Sequence, residues 1–178
     1  MLQNYNKYRV LKVFLDDPLP EFGFQLREIG RKSKLAPISV KRYLGELLKG
    51  GLIVKISRGK GHFPLYKANR ESEKFRTAKK VFAVSELHES GTVDYIYDSL
   101  LPNAIILFGS ASKGEDLKES DMDIYCQCSE KQISLEKYEK KIGKKISLII
   151  EKDFGRLSSE LKNNIINGIL LKGYLKVF

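Results

Sequence analysis

The sequence predicts an α+β chain of two domains, and three observations lead there. The 178 residues carry 32 basic and 22 acidic side chains, a net charge of +10. That excess is uneven: residues 1–68 hold 14 Lys and Arg against 5 Asp and Glu, whereas residues 69–178 hold 18 against 17. Three short helical patterns followed by two strand-like runs fill the basic part, and a continuous apolar run followed by an alternating one lies beyond residue 103. A hydrophobic content of 42% with five prolines is a globular composition, and no run of about eighteen apolar residues is present to span a membrane. The opening Met1-Leu2-Gln3-Asn4-Tyr5 lacks the basic segment and apolar stretch of a secretion signal, so the chain reads as a cytoplasmic protein with no membrane partner. Cys126 and Cys128 are too close in sequence for an unstrained disulfide and supply half of a zinc site at best, so they read as reduced structural thiols.

In the basic part, Tyr5 to Leu15 places Tyr8, Leu11, Val13, Phe14 and Leu15 on a helical pattern closed by Asp16-Asp17-Pro18. Leu26 to Lys34 predicts a second helix. Pro37 fits the first turn of a third, whose Val40, Leu44, Leu47 and Leu48 form one stripe and leave Ser39, Lys41, Arg42, Gly45, Glu46 and Lys49 toward solvent. Gly50-Gly51 stops it. The runs 52–57 and 63–67 then read as a hairpin with a basic, glycine-rich tip, Arg58-Gly59-Lys60-Gly61, and Pro64 assigns the second run to a sheet edge.

Three helices with a tight turn before the third, followed by such a hairpin, resemble the winged helix-turn-helix domains of prokaryotic regulators over about residues 1–68. The resemblance implies duplex DNA as partner. Ser39, Lys41 and Arg42 would lie on the helix entering a major groove, and Arg58 and Lys60 on the wing would reach phosphates or a minor groove. The concentration of positive charge in this part agrees with a polyanionic partner.

Residues 69–92 read as a connecting amphipathic helix in which Phe75, Ala78, Val81, Phe82, Ser85 and Leu87 recur among Glu71, Glu73, Lys74, Arg76, Lys79 and Lys80. It either stacks on the second domain or pairs with a second copy in a homodimer. Val93 to Leu101 continues with Ile96, Leu100 and Leu101 on one face, and His62 and His88 read as surface histidines.

Residues 93–178 form the second predicted domain. Ala104–Phe108 has the character of a strand covered on both faces and ends in Gly109-Ser110. In the run from Asp121 to Cys128, alternation sends Met122, Ile124, Cys126 and Cys128 to one face and Asp121, Asp123, Tyr125 and Gln127 to the other. Further on, 133–142 and 154–166 read as short helices, 145–151 as a strand, and 168–178 as a small strand pair around Gly173. Lys140, Lys141, Lys144 and Lys145 make a basic run with the character of a solvated face.

Gly109-Ser110, Gly114, Ser120-Asp121 and Asp123 stand at the spacing of the polymerase-β-like nucleotidyltransferases, and in particular resemble the minimal nucleotidyltransferase domains. The resemblance implies a small mixed sheet with flanking helices. It also implies that Gly109, Ser110, Lys113 and Gly114 surround a triphosphate, and that Asp121 and Asp123 act as catalytic metal ligands holding Mg²⁺ or Mn²⁺ on ATP or another NTP. The chemistry accords with the residue types. Glycine lets the backbone approach phosphates, a lysine offsets their charge, and two carboxylates on one strand face can share a divalent cation.

Active members generally carry a third carboxylate on the next strand, and the corresponding position here is Ser147. A hydroxyl does not replace that charge, and loss of a general base lowers rates about 10²–10⁴-fold. Glu151 shares the strand face but lies further along, and Asp153 further still. Three readings follow: a DNA-binding transcriptional regulator with a catalytically impaired Mg-NTP-binding domain, an active antitoxin-like enzyme moving NMP to a protein or small-molecule hydroxyl, or an interaction scaffold.

Overall fold

The computed structural model describes residues 6–57, 59 and 61–178, and the chain divides into two compact units between Ala78 and Lys79. Among the described residues it is a mixed α+β protein with eight α-helices and two sheets.

The first unit runs α1 (Asn6–Asp16), β1 (Phe24–Gln25), α2 (Leu26–Ser33), α3 (Pro37–Lys49), β2 (Ile53–Ile56) and β3 (Leu65–Ala68). Val10, Val13 and Phe14 of α1, Ile29 of α2 and Val40, Leu44 and Leu47 of α3 are buried, at the helical spacing expected of inward stripes. Lys34 closes α2 in a left-handed conformation, and Pro37 opens α3, where its missing N–H is no loss. The strand order is β1-β3-β2, all antiparallel. The sequence reading therefore needs two corrections. Phe24 and Gln25 form a strand too short for an alternation signal, and Phe24 meets Phe14 edge-on at 5.6 Å. Because β1 pairs with β3, the run after Pro64 is the central strand. Pro64 sits one residue before it and disturbs no ladder bond.

The described elements then continue with α4 (Glu73–Glu89), which contains the division, α5 (Thr92–Leu100), β4 (Ala104–Phe108), α6 (Gly109–Lys113), β5 (Met122–Cys126), α7 (Glu136–Ile142), β6 (Ile146–Ile150), a 3-10 turn at Phe154–Arg156, α8 (Ser159–Ile166) and β7 (Ile169–Gly173). The sheet order is β6-β5-β4-β7, with β5 and β6 parallel and the other pairs antiparallel. All five residues of β4 are buried, as a strand covered on both faces requires. On one face Ile105, Leu107, Met122, Ile124 and Cys126 pack in a cluster with Leu87, Val93 and Ile96. On the other, Ala104, Ile106, Phe108 and Tyr125 pack with Phe154 and Ile165.

The alternation read from Met122 to Cys128 holds, but the opposite face is open only at its start, since Tyr125 and Gln127 are fully covered. Both thiols are free and buried, and burial, followed by the neighbouring Cys128, pushes the Cys126 thiol up to about 12. Several local readings change. Leu101 is exposed and ends α5 in a left-handed turn. Val81 faces solvent, while Lys79 occupies the buried stripe of α4 beside Phe75, Ala83 and Leu87. The segment 154–166 breaks at Leu157, because Ser158 caps α8 through the Leu161 N–H at 3.2 Å. Only one strand, β7, forms near Gly173, and it pairs with β4 rather than with a terminal partner. No helix among the described residues is long and apolar enough to cross a membrane.

Candidate functional site

Three adjacent strands converge at the end of β4 where α6 begins. In register, Asp123 of β5 stands between Phe108 of β4 and Ser147 of β6. Gly109 follows Phe108 with φ +69°, a conformation that favours glycine. A Cβ placed on Gly109 would run into the Asp123 carboxylate, so the glycine is needed for the acid as well as for the turn. Ser112 Oγ donates to the Gly109 carbonyl at 2.8 Å, and Gly114, left-handed at φ +73°, ends α6 with the Glu115 N–H on the Ser110 carbonyl at 3.0 Å. Gly109 and Ser110 are half-buried at the head of this turn, and Lys113 is exposed at its end.

Asp121 is exposed just ahead of β5, and Asp123 is half-buried. Burial, with the charge of Asp121 adding to it, raises the Asp123 carboxyl above the ordinary carboxylate range. Two acids held close enough to repel form a site in which a cation is favoured. Among the described residues no group of three or more His, Cys, Asp or Glu side chains is arranged to hold a metal ion. Asp121 and Asp123 are the carboxylates at this rim that could hold a divalent cation, and two oxygen-bearing side chains leave most of its coordination positions to other ligands.

Ser147 stands directly beside Asp123 across β6. Glu151 lies four residues beyond it, about 13 Å at the usual rise per residue, and its Oε1 accepts the Asp153 N–H at 2.8 Å. It does not stand in for an acid at position 147. Tyr125, on the same face of β5 as Asp123, is pushed up to about 12, mainly by burial, and donates to the Glu151 carbonyl at 2.8 Å.

A second ionic group was not legible as such in the sequence. Asp116, between Gly114 and Asp121, is buried, and its Oδ2 accepts from Lys79 at 2.9 Å and Lys144 at 2.7 Å. The solvated reading of the basic run is thus corrected at Lys144, while Lys140, Lys141 and Lys145 remain exposed. The available signal was Lys79, which stands four residues from both Phe75 and Ala83 on the apolar stripe of α4. A cavity of about 410 Å³ is lined by Ser120, Asp121, Glu139, Lys140, Lys144 and Lys145, among others.

Residues 96–171 match the nucleotidyltransferase domain family. The match spans β4 to most of β7 and includes Gly109, Ser110, Gly114, Asp121, Asp123 and Ser147, so a nucleotidyltransferase domain is present. No curated protein and no solved structure matches the chain.

Of the residues considered for DNA contact, Ser39 is half-buried, and Lys41 and Arg42 are exposed on α3. Arg42 donates to the Tyr43 hydroxyl at 2.7 Å and lies 4.6 Å from the centre of its ring. Arg58 and Lys60 lie outside the described residues.

Asp123→Asn is expected to melt at a higher temperature than the wild type at pH 7. The raised carboxyl pKa of the folded protein means that ionising Asp123 opposes folding, so its contribution to stability is lost as pH rises through that folded value. The difference should shrink as pH falls toward the ordinary carboxylate value of about 3.9. Thermal melts across this range check it, and an Asn variant that melts lower at pH 7 contradicts it.

Proposed function

We propose that the nucleotidyltransferase domain binds an Mg²⁺- or Mn²⁺-nucleoside triphosphate, with Asp121 and Asp123 holding the metal and Gly109, Ser110, Lys113 and Gly114 around the phosphates. The observation that carries this is the Gly109–Asp123 close approach, which brings the phosphate-side turn of α6 against an acid that burial and Asp121 leave short of compensating charge. The cation, when bound, supplies charge neutralisation at the phosphates and a polarised α-phosphorus. Gly109 lets the turn lie against Asp123, the Ser110 hydroxyl offers a hydrogen bond to a phosphate, and Lys113 brings a cation on a long exposed stem.

Ser147 limits catalysis in this reading. Its hydroxyl stands at the strand position beside Asp123, yet it neither removes a proton from an acceptor at neutral pH nor adds a charge to hold the cation. The domain then acts chiefly as a nucleotide-responsive module. Titration calorimetry with ATP should show binding that depends on Mg²⁺ and is lost in Asp121→Asn/Asp123→Asn. Transfer from α-labelled ATP to protein acceptors should be weak in the wild type and rise at least about tenfold in Ser147→Asp. Lack of binding at millimolar Mg-ATP overturns the nucleotide reading, and transfer as fast in the wild type as in Ser147→Asp overturns the impairment.

The charge of residues 1–68 favours a companion reading in which this part is a winged helix-turn-helix domain that binds duplex DNA and makes the protein a transcriptional regulator. α3 offers an exposed face of Ile38, Lys41 and Arg42, and Gly45 has no neighbour within 4 Å of where a Cβ would stand, so a groove could approach closely. Arg42→Ala should weaken binding to duplex DNA and reduce the salt slope by about one unit in a fluorescence anisotropy titration. Unchanged affinity and slope would contradict a contact by this helix.

A further inference from the structure

The segment from Glu115 to Ser120 joins the end of α6 to the aspartate pair and contains no helix or strand. Near its start the Asp116 side chain is 1% exposed, with Lys79 at 1% and Lys144 at 9%. Its Oδ2 accepts from both ammonium groups, whereas Oδ1 is buried with no hydrogen-bond partner among the described residues. Replacing such a buried ionic group with apolar side chains is often neutral or stabilising, so stability alone gives little reason for it.

Lys144 does more than neutralise Asp116. Its Nζ also donates to the carbonyl of Leu117 and, at 3.3 Å, to the carbonyl of Ser120. With Asp116 Oδ2, these acceptors account for the three donors of an ammonium group. The Ser120 carbonyl belongs to the peptide unit whose nitrogen is that of Asp121. On the other side of Asp121, the Met122 N–H donates to the Lys145 carbonyl at 2.8 Å. Asp121 is therefore bracketed by bonds to two consecutive residues ahead of β6. The Leu117 N–H donates to Ser120 Oγ at 2.9 Å and closes the turn between them.

We propose that Lys144 is a positioning residue for the nucleotide site: anchored on buried Asp116, it fixes the Ser120–Asp121 peptide so that Asp121 is aimed beside Asp123. This rests on the reading of Asp121 and Asp123 as the metal-holding pair. Lys144 touches neither nucleotide nor metal in this role. It acts through the backbone that carries Asp121, and Lys79 steadies the anchor from α4.

The test uses the full chain, Mn²⁺ with ATP as probe, and paramagnetic resonance to read free and bound Mn²⁺, alongside thermal melts and hydrogen exchange of the amides in 117–122. Lys144→Met should weaken Mn-ATP binding at least about tenfold, the size seen when groups that orient a metal ligand are removed, and should speed exchange at Asp121 and Met122. Lys144→Arg should recover most of the affinity. Lys140→Met, which removes an exposed charge lining the same cavity, should stay within about twofold, because screened surface charges contribute little. Where Lys144→Met does not fold, the near-isosteric Asp116→Asn carries the comparison and should weaken binding at least about threefold, a smaller loss because Lys144 keeps its carbonyl acceptors. Folded variants that bind Mn-ATP like the wild type, or a Lys140→Met loss as large as that of Lys144→Met, overturn the positioning role alone. A wild-type protein that binds no Mn-ATP overturns the nucleotide reading itself and the role of Lys144 with it.

Discussion

The Asp123 carboxylate lies where a Cβ on residue 109 would stand, so β5 can set an acid against the first turn of α6 only if that turn begins with glycine. The contact depends on strand register. A shift of one residue between β4 and β5 would turn Asp123 into the core face now filled by Met122 and Ile124 and bring those hydrophobic side chains to the open face. The two hydrophobic layers hold that register in place, with Ile105, Leu107, Met122, Ile124 and Cys126 on one side and Ile106, Phe108 and Tyr125 on the other. The sheet interior thus fixes the position of a charge at its rim.

That charge is held against its own preference. Burial and Asp121 both raise the Asp123 carboxyl, which means that the folded protein keeps an acid in surroundings that favour its neutral form. A third acid at position 147, directly across the parallel pair, would add a further like charge and deepen the conflict. Serine there adds no charge, so the repulsion is between Asp121 and Asp123 alone. The ionic group around Asp116 answers a different problem. The segment before β5 has no regular secondary structure, and three bonds from Lys144 supply the order that ladder bonds give elsewhere.

Much of this was legible in the residues. The covered strand at 104–108, the glycine turn after it, and the segregation of Met122, Ile124 and Cys126 from Asp123 and Tyr125 all follow from periodicity and glycine placement. The position of Ser147 came from the family resemblance, and the register of β6 against β5 sets it beside Asp123. What escaped was set by partners distant in sequence. A two-residue strand such as Phe24–Gln25 exists because β3 is there to pair with it. Lys144 looks like any surface lysine until Asp116, 28 residues away, pairs with it, and Lys79, though set on an apolar stripe, gives no sign of which acid it meets until the same Asp116, 37 residues away, stands beside it. The single strand β7 likewise depends on β4, whose outer edge needs a partner that periodicity does not name.

The proposed nucleotide-metal site joins one pair of aspartates to one glycine turn. A crystal structure of the full chain with Mn²⁺ and a non-hydrolysable ATP analogue, with the metal located by its anomalous signal, tests it most directly. One manganese is expected on Asp121 and Asp123, with phosphate oxygens at Gly109 and Ser110 and no third protein carboxylate on the metal. Manganese away from the aspartates, or a nucleotide whose phosphates leave the Gly109 turn empty, would contradict it.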